Sequence, residues 1–148
     1  MRSKTTSWFE TKIRYDKTME DGRNKKVTEV YTVEALNFTE AESAITEEMS
    51  HYISGEFDVK AITPAAYGDI FFSDADSDDK WFNVRLAFIT IDEKTGKEKR
   101  SNVVYLVQAE SLDKARQYVK DVMSKTMVDY EVISISETPI MDVFENTK

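Results

Sequence analysis

The feature that most constrains this chain is that its second half repeats its first. Trp8-Phe9 returns as Trp81-Phe82, an offset of 73 residues (81 − 8). Val30-Tyr31, Val33 and Ala35 return as Val104-Tyr105, Val107 and Ala109, an offset of 74 (105 − 31). Ala41 matches Ala115, and Met49-Ser50 matches Met123-Ser124, still at 74. Val59, Ile62 and Asp69-Ile70-Phe71 then match Val132, Ile135 and Asp142-Val143-Phe144 at 73. The order holds throughout, and single-residue insertions absorb the changes of offset. Chemistry repeats where identity does not: Lys12 with Arg85, Ile13 with Leu86, Tyr15 with Phe88, Phe38 with Leu112, Phe57 with Tyr130. Two copies are too few for a solenoid. A pseudo-two-fold pair around a common core is expected, with repeats at 8–72 and 81–144 in one domain over 1–148. The acidic stretch 73–80 joins them.

Each copy reads as two strands, a helix, and one or two further strands. Phe9, Thr11, Ile13 and Tyr15 alternate with Trp8, Glu10, Lys12 and Arg14, the period-two pattern of a strand with one buried face. Phe82, Val84, Leu86 and Phe88 repeat it against Trp81, Asn83, Arg85 and Ala87. Asp21-Gly22 and Thr95-Gly96 sit in the polar segments that follow, where a hairpin loop needs glycine at positive φ. Second strands are expected over Val27 to Leu36 and Asn102 to Ala109, with Tyr31, Val33, Ala35 and Val103, Tyr105, Val107 inward.

The helices follow. Thr39 and Glu42 have capping-box spacing, and Asp113 is the expected cap of the second helix. Phe38 and Leu112 would then lie just ahead of the caps. Ala41, Ala44, Ile45, Met49 and Tyr52 form one apolar stripe; Ala115, Tyr118, Val119, Val122 and Met123 form the other. Third strands are expected at Phe57 to Ile62 and Tyr130 to Ile135, broken by Pro64 and Pro139, and fourth strands at Asp69 to Phe72 and Ile140 to Phe144. The class is α+β, a tandem duplication of a ββα(ββ) unit, with antiparallel sheet and two helices packed on one face.

Chemistry is sparse. There is no Cys, which excludes thiolate nucleophiles, disulfides and Cys-ligated metals. That fits a cytoplasmic setting, as does the polar stretch Met1 to Ser7, and no apolar run reaches the ~20 residues of a membrane helix. A formal charge of −8 opposes general binding to nucleic acid or anionic membrane. His51 is the only histidine and stands at a helix end, where a base suits the dipole; its counterpart is Lys125. Asp74, Asp76 and Asp78 imitate the start of a calcium loop. Positions six and twelve are Asp79 and Arg85 where Gly and Glu are needed, so the motif fails and a solvated acidic turn is expected. Asp69 and Asp142 recur in equivalent places as shared turn or cap residues; acid–base use would need an enclosed pocket around them. No phosphate-binding glycine loop occurs. No catalytic residue, metal or cofactor is expected, and the protein is read as not an enzyme.

One surface invites a binding reading. Trp8, Lys12 and Arg14 on one first strand, and Trp81 and Arg85 on the other, alternate away from the expected core. Aromatics interleaved with bases can stack nucleobases and hold phosphates. The competing reading is that both tryptophans pack at the seam between halves or against a partner chain.

The runs Trp8-Phe9-Glu10, Lys26-Val27-Thr28-Glu29, Phe38-Thr39-Glu40-Ala41, Ile53-Ser54-Gly55-Glu56-Phe57 and Glu137-Thr138-Pro139-Ile140-Met141-Asp142-Val143-Phe144 look like an uncharacterised family, a domain of unknown function. It comprises small proteins of Bacteroides-type bacteria and their phages or mobile elements. The resemblance spans Trp8 to Phe144. It implies a cytosolic bacterial or phage-linked setting and assigns no activity, cofactor or site. The expected function is a non-enzymatic binding or assembly module, with a protein partner or self-association. The alternative is a single-stranded nucleic-acid binder using the Trp and basic strand face.

Overall fold

Alternation, turn glycines and apolar stripes build the expected elements in the expected order, preceded by one strand, Arg2–Lys4, in a stretch read only as polar. The computed structural model describes residues 2–4 and 6–146. The strands are β1 (Arg2–Lys4), β2 (Trp8–Thr18), β3 (Asn24–Glu34), β4 (Phe57–Ala65), β5 (Asp69–Phe72), β6 (Lys80–Ile91), β7 (Glu98–Ala109), β8 (Asp129–Glu137) and β9 (Ile140–Phe144). The helices are α1 (Phe38–Tyr52) and α2 (Leu112–Met123). The fold is α+β, with the strands in two sheets ordered β4-β2-β3-β9 and β1-β5-β7-β6-β8.

The chain forms two compact units. The first comprises residues 6–66 and 139–146, the second 2–4 and 67–138, among the described residues. Each sequence repeat therefore keeps its first three strands and its helix, while its fourth strand lies in the other unit. β9 pairs with β3, and β5 pairs with β7. Both of these pairings are parallel, the one departure from the expected antiparallel sheet. A parallel neighbour cannot be reached by a tight hairpin. The exchange solves this, because each fourth strand enters its sheet from outside the local meander.

In the first unit, α1 closes one sheet face over Phe9, Ile13, Val33, Ala41, Ile45 and Met49, with Tyr15, Tyr31 and Phe144 packed around them. In the second, α2 does the same over Phe82, Val84, Leu86, Val107, Ala115 and Val119. Fully burying a side chain such as Ile45 or Leu86 contributes about 2 kcal/mol. The glycines expected at the hairpin tips take positive φ, +84° at Gly22 and +71° at Gly96.

Two local expectations shift. Both helix caps lie two residues before the expected ones. Asn37 and Ser111 are extended, with φ of −156° and −152°, and their side-chain oxygens accept from the amides of Glu40 and Lys114. Thr39 and Asp113 therefore lie in the first turn, and Phe38 and Leu112 are the first helical residues. The other shift is at Pro64, expected to break β4, which instead stays inside the strand. β4 is an edge strand, so the missing N–H need not cost a ladder bond.

Candidate functional site

Trp8 and Trp81, expected outward, are each 2% exposed. The alternation is right, but the strands bury both faces where they begin. Trp8 and Phe9 are both buried in β2, and Trp81 and Phe82 in β6. The face away from α1 also buries Val30, Thr32, Ile140 and Val143. Its counterpart buries Ile70, Phe72, Ala87 and Leu106, with the Phe72 ring edge-on to Trp81 at 5.6 Å. A base cannot stack on an indole without an open face, so the Trp half of the expected nucleic-acid surface is withdrawn. Lys12, Arg14 and Arg85 are exposed as expected. They remain as solvated cations on strands without an aromatic platform.

The remaining expected positions resolve plainly. His51 is exposed in the last turn of α1. Asp69 and Asp142 accept hydrogen bonds from the amides of the residues that follow them, Ile70 at 2.9 Å and Val143 at 2.8 Å. The repeated Asp-aliphatic-Phe motif thus makes the same side-chain-to-amide contact twice, within β5 and β9 and not in the turn or cap expected. Packing around the Asp142 carboxyl raises its pKa, and the Val143 amide opposes the rise. Asp74 and Asp76 are exposed as expected, and no group of three His, Cys, Asp or Glu among the described residues could hold a metal.

Asp78 is the departure. Expected in a solvated turn, it is 2% exposed. Its Oδ2 accepts from the Ser73 and Tyr118 hydroxyls, both at 2.5 Å. Burial pulls its pKa upward, but these hydrogen bonds outweigh it and hold the carboxyl below its usual range. Tyr118 is raised in turn, first by its bond to Asp78. Asp78 anchors the 73–80 connection to α2. The missed signal is Tyr118 itself, a hydroxyl on the helix stripe where the first copy has Ala44.

A second network lies in the first unit. Glu29 Oε1 accepts from Tyr15 Oη at 2.9 Å and Tyr31 Oη at 3.0 Å, while Lys17 Nζ lies 3.7 Å from Oε2. Burial, with Glu29 alongside, pushes Tyr15 up to about 12 and raises Tyr31 further. The tyrosine hydroxyls of both networks hold their protons more tightly than usual, while Asp78 gives its proton up more easily.

The described clefts open to solvent and mix polar with apolar surface. One of about 230 Å³ in the first unit is lined by Glu34, Glu40, Glu47, Glu48, Glu145 and Ala44. Glu34 accepts from Thr6 Oγ1 and the Asn146 amide, each at 2.7 Å, and Glu40 accepts from Asn146 Nδ2 at 3.1 Å.

One open apolar feature is the β8 edge. Val132 and Ile133 are 37% and 48% exposed, next to Met127 and Val128 in the approach to the strand. β8 ends its sheet, so one side of its backbone has no strand neighbour among the described residues. Unpaired strand edges add further strands readily.

No curated protein and no solved structure matches this chain. A family model does match, over residues 7–146, which takes in the whole span of the resemblance, Trp8 to Phe144. The chain belongs to the family described as Domain of unknown function (DUF4494).

Proposed function

We propose that this chain is a non-enzymatic binding or assembly module of the cytoplasm, in the phage or mobile-element setting that its sequence resemblance implies. The observation that carries the reading is the exposed β8 edge with Val132 and Ile133. The way its polar networks are used supports the non-enzymatic part. Asp78, Glu29, Asp69 and Asp142 all accept hydrogen bonds from within their own units. The absence of Cys supports the cytoplasmic part.

The test is a selection of random linear peptides displayed against the full chain, with amide hydrogen exchange mapping where the enriched peptides bind. Protection concentrated in β8 is the expected result. Failure of any sequence to enrich above background would end the module reading. A labelled oligonucleotide titrated across salt is the companion measurement. Salt-sensitive binding lost on Lys12→Ala with Arg14→Ala would put nucleic acid in place of a protein partner.

A further inference from the structure

β4 and β8 are the same strand of the two repeats, and each is an outer edge of its sheet. Both carry a bulge at the same place. The pairing of β2 with β4 skips Lys60, and that of β6 with β8 skips Ile133. These residues correspond at the offset of 73 (133 − 60). Further along, Pro64 faces Phe9 while Glu137 faces Phe82. A lysine and a proline on an edge strand are guards against strand addition. β4 carries both; at the matching positions β8 carries an exposed isoleucine and a glutamate.

The charge of the β8 edge identifies what would fit it. β8 carries Asp129, Glu131 and Glu137 and no Lys, Arg or His. Arg100 reaches Glu131 at 2.6 Å, and Lys80 lies 3.9 Å from Glu137. Both carboxylate side chains nevertheless remain 54% and 59% exposed. A second copy of β8 would set acid against acid, on a chain already at −8. A strand with Lys or Arg at its ends and β-branched residues at its centre would meet acids with bases, and Val132 and Ile133 with apolar surface.

Resting on the module reading, we infer that the β8 edge binds an extended, basic-flanked segment of a partner protein as a further strand of the β1-β5-β7-β6-β8 sheet. Main-chain hydrogen bonds supply affinity in this mode, and side chains supply selectivity.

The experiment uses three synthetic peptides matched in length to β8. All have a core of alternating Val and Thr; their ends carry Lys, Glu or Ser. Each is titrated into the full chain, and β8 amide exchange is read alongside. The Lys-ended peptide should bind and protect β8 amides. The Glu-ended peptide should bind at least about tenfold more weakly, with the difference shrinking as salt rises. Ile133→Lys, which copies the guard on β4, should abolish binding of the Lys-ended peptide. Ile133→Thr keeps a β-branched side chain and should retain it. Equal binding of the three peptides at β8 would overturn the basic partner and leave the module reading standing. Failure of every peptide at β8, with displayed peptides enriching elsewhere, would overturn the edge but not the module. Concentration-dependent dimers of the chain that Ile133→Lys dissolves would replace the partner with a second copy and overturn the inference.

Discussion

The two units solve one folding problem with the same side chains and then diverge where those side chains meet water. Phe9, Ile13 and Val33 under α1 answer to Phe82, Leu86 and Val107 under α2. The chain leaving each fourth strand is tied in the same way. The Asn146 amide donates to Glu34 at 2.7 Å, and the Ser73 amide donates to Gln108 at 2.9 Å. Beyond that shared frame, the positions Tyr15, Glu29 and Tyr31 of the first unit are Phe88, Val103 and Tyr105 in the second. A buried-edge hydrogen-bond network in one copy is plain apolar packing in the other. Conversely, Tyr118 with Asp78 occupies the place where the first unit has Ala44 and an acidic cleft. The lesson is that core geometry was kept on both sides, while polar detail and edge protection were free to change. Differences between the copies are therefore better pointers to function than their similarities.

What the units share is tested most severely at the tryptophans. Trp8→Ala and Trp81→Ala should each lose about 3–5 kcal/mol in denaturant unfolding, as expected for a large buried ring. A loss below about 1 kcal/mol at either would mean that the indole is not buried and that the units are less alike than described.

A smaller effect separates the units at Asp78. Tyr118→Phe should cost about 2 kcal/mol, because a carboxylate shielded from water loses one of its donors. Asp78 also gives a pH signature. Its folded pKa lies below the unfolded value, so its stabilisation is full above the ordinary carboxylate range and is lost as pH falls through the folded pKa. Asp78→Asn should flatten that acid limb, and an unchanged limb would show that the acid sensitivity arises elsewhere.

The alkaline side belongs to the first unit. Tyr15 has a raised folded pKa of about 12, so its contribution is full below the unfolded value of 10.0 and is lost as pH rises towards the folded one. Glu29→Val imports the residue of the second unit and should cost about 1 kcal/mol near neutrality. Adding Tyr15→Phe should recover part of that loss, since no hydroxyl at position 15 is then left without its acceptor. Because burial is the first cause of the raised pKa, Tyr15→Phe should lessen the alkaline loss more than Glu29→Val does; an unchanged loss in Tyr15→Phe would place its source outside Tyr15.

The smallest effect on stability is at the edges. Lys60→Ile and Ile133→Lys exchange the guards and should each change unfolding by no more than about 0.5 kcal/mol. Their effect should appear in association, with Lys60→Ile increasing concentration-dependent self-association in sedimentation. A large stability change at either would show that the bulge residue packs instead of facing water.

Much of this molecule was legible in residues close together in the chain. The strands from β2 onward, both helices, the two turn glycines and the inward sets of β3 and β7 follow from alternation, periodicity and turn chemistry, whereas β1 carries no such pattern. The helix starts were missed by two residues because Asn37 and Ser111 compete with Thr39 and Asp113 as caps, and only the backbone conformation decides between them. The Trp and basic surface was half legible: Lys12, Arg14 and Arg85 face water, but period two reports only that Trp8 and Phe9 point to opposite faces. It does not report that both faces are covered.

By itself, the sequence determined a duplicated ββα(ββ) pattern, the alternation of side chains along each strand and the lack of thiol chemistry, because these are properties of side chains and their spacing. Only the tertiary structure decided which sheet each fourth strand joins, that Trp8 and Trp81 are enclosed, that Asp78 leaves solvent, and that β8 is left open. Those outcomes depend on pairings between residues far apart in the chain. Backbone hydrogen bonds are nearly blind to residue type, so a strand such as Asp69–Phe72 carries no local mark of the partner it will find.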